Sequence, residues 1–139
     1  MLVRIGRIAA VLAGYRVLVV EDEALIAQDI KEMLLEAEAV LVGPASGVGE
    51  ARQLIRDDAI DDLALIDVNL GDEPVTPVLE ALLHARGIPT LINTGDSIPD
   101  DVRRRHPELI ALAKPVLPAR LIGQLRKLAR ASKASLSHR

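Results

Sequence analysis

Five times between Tyr15 and Ala131, a short apolar run suited to a buried strand gives way to apolar residues spaced for one face of a helix. Val17 to Val20 is continuous, as a strand covered on both sides requires, and Ile26, Ile30, Met33, Leu34 and Ala37 follow at helical spacing. AVLVG (39–43) predicts the second strand, with Val48, Ala51, Leu54 and Ile55 marking the helix after it. LALID (63–67) predicts the third. Its helix has Thr76 as expected N-cap, Pro77 at the first helical position, Val78, Leu79, Leu82 and Leu83 as the stripe, and Gly87 as its end. IPTLINT (88–94) is the fourth strand, and the helix within SIPDDVRRRHP (97–107) has Val102 as almost its sole apolar member. LIALA (109–113) is the fifth, after which Pro118 opens a helix with Leu121, Leu125 and Leu128 inward.

Alternation of this kind with short connections predicts parallel βαβ units with right-handed crossovers, hence a three-layer α/β sandwich. Five strands and five helices suit the flavodoxin-like order 2-1-3-4-5. The 139 residues, 50% hydrophobic, fit one domain at 15–131 with an N-terminal extension at 1–14 and a polar tail at 132–139. With an aromatic content of 1%, the core must be built from Leu, Ile, Val and Ala. The absence of cysteine excludes disulfides, thiolate metal sites and cysteine nucleophiles, and suits a reducing cytoplasm. A net charge of −3 supplies no general attraction to nucleic acid or to an anionic membrane, so neither is expected as a partner. In the opening MLVRIGRIAAVLAGY, the apolar run Ile8 to Ala13 is shorter than a secretory core. It is read as an amphipathic extension that packs on the domain or on a second copy.

Such sheets bind ligands outside the carboxyl ends of their strands. Strand one ends in Glu21 and Asp22, strand three in Asp67 and strand four in Thr94, while strand five leads to Lys114. A parallel sheet brings these ends to one edge. Two like charges about 4 Å apart repel by roughly 4 kcal/mol at an effective dielectric of 20, so gathered carboxylates call for a cation. A hard divalent ion suits oxygen ligands, and Mg2+ fits best. Glu21, Asp22 and Asp67, with the backbone carbonyl of Asn69, are the expected ligands. Asp67, central in the sheet, is the expected nucleophile toward phosphorus. Lys114 would pair with one phosphoryl oxygen, Thr94 would donate to another, and Gly95 would leave room for the group.

The ordered set VLVVEDE, LALIDVNLG, INTG and AKP resembles the receiver domain of two-component response regulators. The resemblance implies phosphotransfer from a sensor histidine kinase to Asp67, Mg2+ dependence and slow self-catalysed hydrolysis, with no other enzymatic activity. It also implies movement of Thr94 toward the phosphoryl group, with repacking of the face made by helix four, strand five and helix five. Output would run through a downstream protein, or the module would act as a phosphate sink; a homodimer could use that face or the N-terminal extension. Lys114-Pro115 is often a cis bond in this family. Ala111 stands where most receivers carry an aromatic residue three positions before the lysine, so a Tyr or Phe rotamer switch is unavailable. The alternative reading, a small α/β phosphatase or hydrolase with an aspartate nucleophile, lacks a second acid for the leaving group, since Asn69 is not one, and lacks a cap insertion.

Plainer readings apply elsewhere. Asp22 alone could simply cap the first helix. GPASGVG (43–49) lacks phosphate-loop spacing and is read as a turn. Arg103, Arg104 and Arg105 are read as a solvated helix face. His84, His106 and His138 are read as surface residues.

Overall fold

The computed structural model describes residues 10–56, 61–71, 73–85, 87–95 and 97–137. The elements in order are β1 (Arg16–Val20), α1 (Ala24–Glu36), β2 (Val40–Ala45), α2 (Val48–Arg56), β3 (Leu63–Asp67) and α3 (Thr76–Glu80). A π-helical turn (Ala81–Ala85) extends α3, and then follow β4 (Thr90–Thr94), α4 (Asp100–Arg105), β5 (Ile110–Ala113) and α5 (Pro118–Ser137). The strands form one parallel sheet of order β2-β1-β3-β4-β5, the flavodoxin-like topology that the alternation predicts.

Period-two alternation divides the strand side chains between two cores. Leu18, Val20, Ala64, Ile66 and Ile92 face one side with Val48, Ala51 and Ile55 of α2, Val78 and Leu79 of α3, and Val102 of α4. Val17, Val19, Leu63, Leu65 and Leu91 face the other, against Ile30 and Leu34 of α1 and Leu121, Ile122 and Leu125 of α5. Both cores are aliphatic, with Tyr15 at the margin of the second. Leu12 is fully buried in that second core, and its N–H donates to the Ala37 carbonyl at 3.1 Å. The end of the N-terminal extension therefore packs on this domain; residues 1–9 lie outside the described residues.

Several local expectations are corrected. The second strand does not stop at Gly43 but continues through Pro44 to Ala45, with the Gly43–Pro44 bond cis and a register shift against β1 between Leu18 and Val20. Proline is tolerable here because β2 is an edge strand. Gly43 makes the bend possible: its φ is +94°, and a Cβ would lie 2.8 Å from the Val19 carbonyl oxygen and 2.7 Å from the Ala45 nitrogen. At α3 the N-cap is Val75; Thr76 is already helical, and its hydroxyl bonds Asp101 Oδ2 at 3.3 Å. Gly87, at φ +65°, ends this helix as expected. The last helix runs to Ser137, past the point at Ala131 where its apolar stripe stops.

His106 is 2% exposed, against the surface reading, because it falls four residues after Val102 and so shares that residue's inward face. Its Nε2 lies 3.8 Å from Glu80 Oε1. The side chain of His84, and all of His138, lie outside the described residues. Arg103, Arg104 and Arg105 are exposed as expected, with Arg105 Nη1 at 3.4 Å from Glu80 Oε1.

Gly43→Ala places a side chain in a disfavoured backbone region and against two main-chain atoms at once. The expected loss of stability is about 1–3 kcal/mol from the backbone conformation alone, read as a lower urea midpoint with an unchanged denaturant slope; an unchanged midpoint refutes the steric account.

Candidate functional site

The carboxyl edge of the sheet gathers its charged residues by register. Asp67 on β3 lies opposite Asn93 on β4, and Thr94 opposite Ala113, so Lys114 emerges one residue beyond the end of β5. The Lys114 N–H donates to the Thr94 carbonyl at 2.8 Å, and the Glu21 N–H to that of Ala45 at 2.8 Å. These bonds prolong the ladder past the last strand residues and fix where the side chains start.

Lys114 Nζ sits among three carboxylates: 2.9 Å from Glu21 Oε1, 3.0 Å from Asp67 Oδ2 and 3.3 Å from Glu23 Oε1. It donates hydrogen bonds to Glu21 Oε2, Glu23 Oε1 and Asp67 Oδ2. Glu21 and Asp67 are buried, whereas the Glu23 side chain is 62% exposed. Burial pushes the Glu21 carboxyl up to about 7, against the lowering effect of Lys114 and of the Glu23 N–H, and Asp67 adds to the rise. Burial alone would depress the Lys114 ammonium; its hydrogen bonds to Glu21 and Asp67, with their charges, outweigh that and hold it above the ordinary lysine range.

Asn69 completes the floor. Its N–H donates to Asp67 Oδ1 at 2.9 Å, and its amide Nδ2 donates to Thr94 Oγ1 at 2.9 Å. Thr94 therefore touches the phosphoacceptor candidate through Asn69. Gly95 is exposed beside Thr94, and a Cβ there would rest in ordinary contact with Lys114 Cδ at 3.6 Å.

Carboxylate oxygens of Glu21, Asp22, Glu23 and Asp67 lie within 4.8 Å of one another. Opposite oxygens of a magnesium octahedron are about 4.2 Å apart, from metal–oxygen bonds of 2.0–2.1 Å, so a small inward shift of these side chains would let the set hold a hard divalent cation. Glu21 Oε1, close to the ammonium, has no hydrogen bond aligned on it, which leaves a lone pair available to an ion. The expected ligands Glu21, Asp22 and Asp67 are thus brought together. Glu23 joins them, although sequence reading did not assign it; its signal was the third acid of the run after β1. The side chain of Asn69 was also missed, because only its carbonyl had a role.

No family model matches the chain, and no curated protein does. Solved structures do match. The solution structure of the BeF3-activated conformation of SdrG from Pseudomonas melonis Fr1 is 36% identical over 87% of this chain and 98% of that one, with a TM-score of 0.67. The chain belongs to the response regulator receiver domains. A CheY-like receiver domain protein from Methanospirillum hungatei JF-1 matches this receiver at 26% identity over 88% of this chain and 99% of that one, with a TM-score of 0.76. The response regulator PhyR from Brucella abortus matches at 23% identity and a TM-score of 0.74, covering 90% of this chain and 51% of that one. The receiver therefore spans about half the length of PhyR. Among the described residues, no helix is long and apolar enough to cross a membrane.

The raised Glu21 carboxyl has a pH consequence for the receiver without metal. Between the ordinary 4.5 and about 7 the folded state holds a proton that the unfolded chain has released. Stability from this group is therefore present at low pH and lost as pH rises through that window. In metal-free urea titrations from pH 5 to 8, Glu21→Gln should lose less stability with rising pH than the unsubstituted protein. Parallel pH profiles would contradict the assignment.

Proposed function

We propose that this receiver takes a phosphoryl group from the phosphohistidine of a sensor histidine kinase onto Asp67, with Mg2+ in the acidic cluster. One observation carries the reading: a buried ammonium, Lys114 Nζ, bridges Asp67 and Glu21 at 3.0 and 2.9 Å from chain segments far apart in sequence. A structural ion pair needs one acid. Four clustered acids, three of them paired to one lysine, leave surplus negative charge that suits a metal and an incoming phosphoryl group. The BeF3-activated conformation of SdrG supports the same reading, because trifluoroberyllate mimics a phosphoryl group.

The step balances simply. An Asp67 carboxylate oxygen attacks phosphorus and forms an O–P bond; the P–N bond of the donor breaks, and its electron pair leaves on the imidazole. Glu21, Asp22 and Asp67 would hold Mg2+ with the Asn69 carbonyl, and Glu23 is near enough to take part. The ion, when bound, neutralises charge developing on the phosphoryl oxygens. Lys114 gives up a carboxylate contact and pairs with one of those oxygens. Thr94, whose Oγ1 accepts the Asn69 bond, would turn its hydroxyl to donate to another phosphoryl oxygen. Water later hydrolyses the aspartyl phosphate, and no other substrate is turned over.

Partners on this reading are the kinase and a downstream protein, in the cytoplasm, with neither nucleic acid nor membrane involved. A phosphate sink and a homodimer, through the N-terminal extension or the α4–β5–α5 face, belong to the same proposal. Since Ala111 is small and half-buried, output depends on α4 and its loops, or on an altered interface, rather than on an aromatic rotamer.

Incubation with a radiolabelled small-molecule phosphodonor and Mg2+ should label the protein, and Asp67→Asn should take up no label while keeping its circular dichroism; label on that variant would overturn the nucleophile assignment. Lys114→Ala removes a competing positive charge from the carboxylates. Its Mg2+ affinity should rise roughly tenfold at low ionic strength, measured by calorimetry, and an affinity weaker than that of the unsubstituted protein would contradict the picture of a lysine that shares the cation's ligands.

A further inference from the structure

On the side of the sheet covered by α1 and α5, a cavity of about 220 Å³ opens behind the phosphoacceptor edge. Ile26, Ile30 and Met33 of α1 form one wall, and Pro115, Val116 and Leu121 form the other. Asn93 reaches it from β4, Asp29 stands at its rim, and Lys114 closes the end nearest Asp67. Asn93 is 4% exposed, and its Oδ1 is buried without a hydrogen-bond donor.

That amide is out of place as core. It shares a strand face with Leu91, two residues earlier, where the surrounding side chains are aliphatic. A buried carbonyl without a donor is costly, and Leu or Val would fill the same position without that cost. Water is a poor answer, because a held water needs two to four polar partners. The Lys114 ammonium is committed to Glu21, Glu23 and Asp67, and Asp29 is exposed at the rim. The depth of the cavity offers the Asn93 amide and otherwise carbon.

We propose that this cavity is a binding site for a small apolar ligand of one- or two-ring size that carries an N–H or O–H donor, received by the carbonyl oxygen of Asn93. The terminal amide torsion is broad and two-fold, so Oδ1 turns toward an arriving donor at little cost. The body of the ligand packs on Ile26, Ile30, Met33 and Val116, and its edge rests on the Lys114 stem. An apolar cavity of about 150 Å³ admits benzene, so a volume of 220 Å³ leaves room for a fused bicycle.

Indole and indene are probes of nearly equal shape that differ in the N–H. Titrated into the 139-residue protein and followed by the methyl resonances of Ile30 and Met33 and the side-chain amide of Asn93, indole should bind at least tenfold more tightly than indene. In Asn93→Leu, which keeps the strand apolar and folded, that ratio should fall to about one. Met33→Phe fills the cavity from its α1 wall without altering β4 and should weaken both probes. Failure of both probes to bind the unsubstituted protein, equal affinities for them, or an indole preference that survives Asn93→Leu would each overturn the proposal.

Discussion

The site is built around a lysine that contacts more acids than one cation can neutralise. Glu21 and Asp67 are both buried, and charges this close repel by several kcal/mol even at a surface-like dielectric. Lys114 Nζ lies within 3.0 Å of both, so the fold tolerates them together. It does not neutralise them fully: Glu21 is still pushed up to about 7 by burial, with Asp67 adding to the rise. Removal of one partner from a buried pair normally leaves an uncompensated charge that destabilises the fold. Here a second cation has a set of oxygens waiting within 4.8 Å, so the remaining acids have another means of compensation. Folding and ligand chemistry are therefore tied through the same few atoms.

The Asn69–Thr94 hydrogen bond extends this coupling toward the opposite core. Asn69 holds Asp67 with its backbone and Thr94 with its side chain, so β3 and β4 are joined at their ends by one residue of a loop. That loop continues to Glu73, whose Oε1 accepts a bond from the Val48 N–H at the start of α2 at 3.4 Å. Thr76 and Asp101 then link α3 to α4 at 3.3 Å. On the proposed reading, rearrangement at Asp67 is felt along this chain of polar contacts through Asn69. Ala111 has too little volume to relay a movement by changing rotamer.

Sheet order and the meeting of Glu21, Asp22, Asp67 and Lys114 were legible because period-two runs with acids at their ends are one-dimensional signals. Parallel topology converts them directly into neighbours. What was not legible depended on conformations that no residue type declares alone. The strand through Pro44 exists because Gly43 adopts φ +94° beside the Val19 carbonyl, and a glycine followed by proline reads as a turn. His106 is buried by its spacing from Val102, a helical relation hidden by the charged residues between them. Glu23 carried no assigned role, and while it stands as the N-cap of α1 its exposed carboxylate reaches Lys114. The last helix outlasts its apolar stripe, since backbone hydrogen bonding does not require a buried face in every turn.

The end of β4 shows how narrowly the two halves of the molecule are separated. Asn93 and Thr94 are adjacent, and the alternation of a strand sends one to the α1–α5 side and the other to the side of Asn69 and α4. Their backbones are locked by pairing with Asp67 and Leu112 at Asn93, and with Ala113 at Thr94. A slip of one residue would exchange the two roles, putting a hydroxyl into the aliphatic cavity and an amide beside the acids. Leu91 and Ile92, each fully buried on its own side, oppose that slip because both would have to change cores. The apolar register of β4 thus fixes which polar group faces Asp67 and which faces the cavity. Lys114 adjoins both, lining the cavity with its stem and bonding Asp67 with its ammonium.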